Sequence, residues 1–144
     1  MAEGNSKSRT DRIFERIESD GFESLTLSER ASFGLMWLFI ETNNGGLHQF
    51  FFNDAGKLAP DAHRGLEMVG APATASVLRR AMSVFPNGVV PTDQAERREY
   101  LCEELTPEQE QLLDDLTTEF YNCAEPVSEL LDTYIDRYPE EFPT

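Results

Sequence analysis

Glu41, His48, Asp61 and His63 carry the functional groups that general acid–base chemistry or metal ligation would use. A histidine beside a carboxylate can relay a proton or hold a divalent metal, provided folding brings the two within hydrogen-bond reach. The surrounding pattern gives no catalytic unit, because HExxH, GxSxG, a phosphate-cradling glycine loop and DxD are all missing. His48 reads as a packed, hydrogen-bonded residue of a chain reversal, and His63 as a surface position. Cys102 and Cys123 are the only cysteines, form no CxxC and have no ligand set nearby, so they read as reduced core thiols. No catalytic residue, metal or cofactor is assigned. An uncharacterised enzymatic or ligand-binding site near Glu41 and His48 stays as an alternative.

Residues 41–54, ETNNGGLHQFFFND, pack amides and glycines against three phenylalanines. Asn43, Asn44, Gly45 and Gly46 are residue types that tolerate positive φ where a helix ends in a left-handed cap. The stretch is expected to be a structural corner. Its phenylalanines should pack on the preceding helix, while Asn43, Asn44, Gln49 and Asn53 hydrogen-bond backbone groups at the reversal.

Carboxylates supply the other candidate site. Residues 1–90 hold 11 acids and 9 bases, whereas residues 91–144 hold 16 acids and 3 bases, so −13 of the net charge of −15 falls in the last third. From Glu99 through Asp136 there are 12 acids and no Lys, Arg or His. Glu96, Glu99 and Glu103 make one i, i+3, i+7 stripe opposite Leu101, Cys102 and Leu105. Glu129, Asp132 and Asp136 make another opposite Val127, Leu130, Leu131, Tyr134 and Tyr138. Between them, Leu112, Leu113, Leu116 and Phe120 should leave Glu110, Asp114 and Glu125 exposed. Neighbours on such a stripe lie roughly 5–6 Å apart at Cβ, comparable to phosphate spacing on a nucleic-acid strand.

The elements that position these groups are helices. Thr10 can cap a first helix that stops at Gly21, and Thr26 with Glu29 forms a capping box for a second. That second helix contains ASFGLMWLFI, apolar on every side, and is expected at the buried centre of the domain. Pro60 opens a helix closed by Gly70, TASVLRRAMSVF follows, and Thr92 should cap DQAERREYLCEEL. Thr106-Pro107-Glu108-Gln109 supplies a capping box with proline in the first turn, and the final helix stops before Pro139. No stretch alternates at strand length. The fold class is therefore all-α: about seven helices around a buried central helix, in one domain over residues 10–144 after a flexible polar N-terminus at 1–9.

At 144 residues, with 40% hydrophobic residues, the chain can bury one core. Its start lacks an apolar leader and no run reaches the roughly 18 apolar residues of a membrane span, so a cytoplasmic protein is expected, with no membrane partner. A charge of −15 repels nucleic acid directly. Acidity spread evenly over the chain would point to general salt adaptation, but the first 90 residues are nearly balanced. A localised face for a basic protein is the better reading.

The strings NNGGLHQFFFNDAGKLAPDA, GLEMVGAP, VFPNGVVPTDQAERRE and LLDTYIDRYPEEF resemble a bacterial family of domains of unknown function grouped with DNA-mimic proteins. The resemblance runs from about Ser28 to Phe142, and Leu47, where an aromatic is expected, departs from it. It implies a helical, single-domain, cytoplasmic bacterial protein whose acidic surface occupies the DNA-binding face of a transcription factor, with no catalytic residues. The partner is then a basic DNA-binding protein or a nuclease. In the latter case the chain is an immunity protein neutralising a toxin. Self-association as a homodimer stays open.

Overall fold

The computed structural model describes residues 7–144, and among them the chain forms seven α-helices and no strand. The helices are α1 (Arg9–Asp20), α2 (Leu27–Phe52), α3 (Ala59–Val69), α4 (Pro72–Met82), α5 (Gln94–Glu103), α6 (Pro107–Asn122) and α7 (Val127–Arg137), joined by short 3₁₀ turns. The all-α fold expected from the sequence is the one observed. Residues 1–6 lie outside the described residues, so the expected flexible terminus is followed only from Lys7.

Capping chemistry sets most of the boundaries. Thr26 and Glu29 form the anticipated box at α2, as Thr106 and Gln109 do at α6. The start of α1 differs from expectation: Ser8, not Thr10, is the cap, and Asp11 returns the second hydrogen bond of its box. Thr92 does not cap α5 either. Asp93 holds that position and makes no side-chain cap bond, while the Thr92 carbonyl accepts from Arg97.

Helix α2 is the centre of the domain. Leu35, Leu38, Phe50 and Phe51 are each 2% exposed or less, and burying a side chain of this size contributes roughly 1.5–3 kcal/mol. Helix α2 packs against α3, α5, α6 and α1, and within its all-round apolar stretch only Ile40 stands exposed. Helix α3 crosses so closely that a Cβ on Gly34 would lie 2.8 Å from the Ala62 nitrogen. α4 packs against α3 and α6, and α7 against α3.

The corner at 43–46 is tighter than a cap followed by a loop. Gly45 (φ −157°) and Gly46 (φ 83°, ψ 178°) interrupt α2, and the helix resumes at once over 47–52. Gly46 is extended with positive φ, a region open essentially to glycine alone. A Cβ there would also meet the Thr117 side chain at 3.3 Å.

Candidate partner-binding surface

The corner is fastened by groups that the local sequence did not nominate. Asn43 and Asn44 are exposed and make no side-chain hydrogen bond among the described residues, contrary to the expectation that they bind the backbone at the reversal. Gln49 and Asn53 do tie the corner down, but to a side chain. Gln49 Nε2 donates to Glu41 Oε1 at 2.8 Å, and Asn53 Nδ2 to both Glu41 oxygens at 3.2 Å. From the other side Thr117 Oγ1 accepts the Leu47 amide at 3.0 Å and donates to the Leu113 carbonyl at 2.8 Å, while the Tyr121 hydroxyl donates to the Thr42 carbonyl at 2.5 Å. Helix α6 is thereby bolted to the break in α2.

Arg97 completes this arrangement. It is fully buried, and its guanidinium donates to the carbonyls of Phe51 (2.8 Å), Asn53 (2.9 Å), Thr92 (2.9 Å) and Pro91 (3.0 Å). One cation thus satisfies the open carbonyls at the end of α2 and those of the loop entering α5. Burial pulls its pKa below the ordinary arginine value, against the opposing fields of Asp54 and Asp93. The sequence signal for this role is only its phase, four residues before the buried Leu101. Arg98 lies with its guanidinium 4.4 Å from the centre of the Phe52 ring and donates to the Phe52 carbonyl.

Arg97 is buried, whereas Arg98 is exposed and leaves one cation among the acids on the outer side of α5. Glu96, Glu99 and Glu103 are all exposed, as the stripe predicted. Cys102 is exposed rather than part of the inner face, and Cys123 is half-buried, so neither is a fully buried core thiol. On α6, Leu113, Leu116 and Phe120 are buried while Glu110 and Asp114 point outward. Leu112 is on the exposed side instead of the buried one. On α7, Val127 and Ile135 form the buried seam, with Leu130, Leu131 and Tyr134 packed partly against the core, and Glu129, Asp132 and Asp136 exposed. Among the described residues, none of these eight exposed carboxylates forms an ion pair; Glu119, on the same helix as Asp114, pairs with Arg80.

Glu125 is the exception among the nine predicted contact residues. Its carboxylate accepts the amides of Ala73 (2.9 Å) and Thr74 (2.7 Å) and the Thr74 hydroxyl (2.7 Å) at the start of α4. Partial burial pushes its pKa up, but the Thr74 hydroxyl and the two amides outweigh that and hold it below the ordinary glutamate value. Glu125 is a helix cap supplied from 51 residues away, and it is half-buried where the sequence led to an exposed position.

The acid–base candidates are not assembled into one unit. Glu41 and Asp61 line a common cleft of about 880 Å³, in which neither histidine takes part. His48 is exposed and stacks on Phe52 with ring centres 6.1 Å apart, not hydrogen-bonded within the corner. His63 is half-buried on α3, its Nδ1 3.6 Å from Glu67, whereas a surface position was expected. Asp61 is engaged by Arg64 at 2.9 Å.

No helix among the described residues is long and apolar enough to cross a membrane. Neither a curated relative nor a solved structure matches the chain. A family model described as DMP19-like protein matches residues 23–138, covering the corner, the buried arginine and all three acidic helices. The chain belongs to the DMP19-like protein family.

Proposed function

We propose that the protein is a non-enzymatic DNA mimic of the bacterial cytoplasm, whose carboxylate rows on α5, α6 and α7 occupy the DNA-binding face of a basic protein. The observation that carries this reading is the sorting of charge on those helices. Glu96, Glu99, Glu103, Glu110, Asp114, Glu129, Asp132 and Asp136 all face solvent without an ion pair among the described residues, while Arg97 is turned wholly inward. Like-charged neighbours at helical spacing cost a few tenths of a kcal/mol per pair. Retaining them on three successive helices favours use as a surface over simple solvation. Membership of the DMP19-like family is consistent with DNA mimicry.

Carboxylates at this spacing can replace phosphates in a basic groove, and the field of a −13 segment steers the encounter as DNA does. A transcription factor is the partner we favour.

The test is retention of host DNA-binding proteins on the immobilised protein at low salt, with elution in parallel by salt and by duplex DNA. Specific partners should be released by both treatments, since charge-dominated contacts are steeply salt-dependent. The triple variant Glu129→Lys, Asp132→Lys, Asp136→Lys should lose them while keeping its helical circular dichroism. Retention that ignores salt, DNA and the triple variant would sink the reading.

A further inference from the structure

Helix α2 presents Phe33, Trp37 and Glu41 at i, i+4 and i+8, and all three line the 880 Å³ cleft. Phe14 and Phe22 add the facing wall: Phe14 meets Phe33 edge-on at 5.3 Å and Trp37 at 6.5 Å, and Phe22 lies 6.1 Å from Phe33. Asp54, Asp61 and Glu23 also line the cleft, together with one cation, Lys57. Two of these acids are already neutralised, Asp54 by Lys57 at 3.1 Å and Asp61 by Arg64 at 2.9 Å. Glu23 and Glu41 have no ion pair among the described residues.

Glu41 is the more telling of the two. It is half-buried and held by the neutral amides of Gln49 and Asn53, which orient a carboxylate without cancelling its charge. The corner motif therefore fixes an uncompensated anion at the end of an aromatic row. Aromatic faces attract cations through the ring quadrupole, and a cavity joining such faces to a fixed carboxylate is selective for a flat or compact organic cation. The Phe22 ring already faces one cation of this chain, the Arg30 guanidinium 5.5 Å from its centre.

We propose that this cleft seats an arginine or lysine side chain projecting from the protein partner. The choice of a partner's side chain rests on the basic-partner reading above, whereas the affinity of the cleft for a cation stands on its own geometry. Thr92 lines the cleft two residues before α5 begins, so it adjoins the helix that carries Glu96 and Glu99. A basic protein lying along the carboxylate rows could insert one side chain here as an anchor, giving the interface a specific pocket besides its general charge.

Trp37 is the chain's only tryptophan, so its fluorescence reports directly on the cleft. The probes are a blocked Gly-Arg-Gly peptide, the same peptide with neutral citrulline in place of arginine, and spermidine. The arginine peptide should shift Trp37 emission saturably, and the citrulline peptide should bind about tenfold more weakly. Glu41→Gln should weaken the arginine peptide by a similar factor. Because that change could loosen the corner, Glu23→Gln, at a side chain without an internal hydrogen bond among the described residues, serves as the second variant and should weaken binding severalfold. The α7 triple variant should lose the macromolecular partner yet bind the arginine peptide normally, which separates failure of the cleft from failure of the acidic rows. Equal binding of arginine and citrulline peptides, or indifference to both glutamine variants, would overturn the cleft. Spermidine binding more tightly than the arginine peptide would overturn the side-chain occupant in favour of a free polyamine.

Discussion

Arg97 shows how a single residue serves fold and surface together. Its guanidinium closes the carbonyls of Phe51, Asn53, Pro91 and Thr92, and by turning inward it removes one cation from the face that carries Glu96, Glu99 and Glu103. Arg97→Leu leaves those carbonyls without donors in a buried site, and should cost about 3 kcal/mol in urea denaturation. Arg97→Lys should cost less, since an ammonium still supplies part of the set. Glu125 leads to a prediction of the opposite kind. Its folded pKa lies below the ordinary value of 4.5, so its contribution is complete above that value and is lost as pH falls through the folded pKa. Glu125→Gln should therefore lower stability by about 1 kcal/mol at neutral pH and flatten the acid limb of the stability profile. Neither role is recognisable from sequence neighbours alone, because the Phe51 carbonyl that Arg97 closes and the Thr74 amide that Glu125 caps lie 46 and 51 residues away.

At the scale of elements, the break in α2 is the feature on which the arrangement turns. The sequence marks it through NNGG, but its exit is set by contact with α6: Thr117 stands 3.3 Å from where a Gly46 Cβ would lie and accepts the Leu47 amide. Gly46→Ala should thus destabilise by about 2 kcal/mol, combining strain at φ 83° with displacement of Thr117. Thermal denaturation followed by circular dichroism reads this directly. The helix starts at Thr26 and Thr106 were legible from their capping boxes, whereas at α1 the box belongs to Ser8 and Asp11 and was missed. The start of α5 was misread too, since Asp93 and not Thr92 holds the cap position, and the apparent inward face of Cys102 failed because only Arg97 and Leu101 of α5 are buried.

For the whole molecule, the decisive property is that −13 of its net charge of −15 falls in residues 91–144. The acidic neighbours Glu96/Glu99, Glu99/Glu103, Glu110/Asp114, Glu129/Asp132 and Asp132/Asp136 repel within their helices. Raising salt from 0.02 to about 0.5 M should increase the free energy of unfolding by about 1 kcal/mol, as screening removes that repulsion. Partner binding should move the other way and weaken with salt, so the two titrations run in opposite directions. The sequence by itself determined the helical class, the buried character of α2, the presence of a corner, and the concentration of carboxylates on the last helices. Each of these follows from periodicity, capping pairs or summed charge, which are properties of short segments. Only the tertiary structure decided that Glu41 holds the corner, that Arg97 and Glu125 serve distant helix ends, and that Glu41 joins an aromatic wall in one cleft. Those roles depend on which polar groups meet across the core, and a buried carbonyl or carboxylate takes whatever partner the packing brings to it.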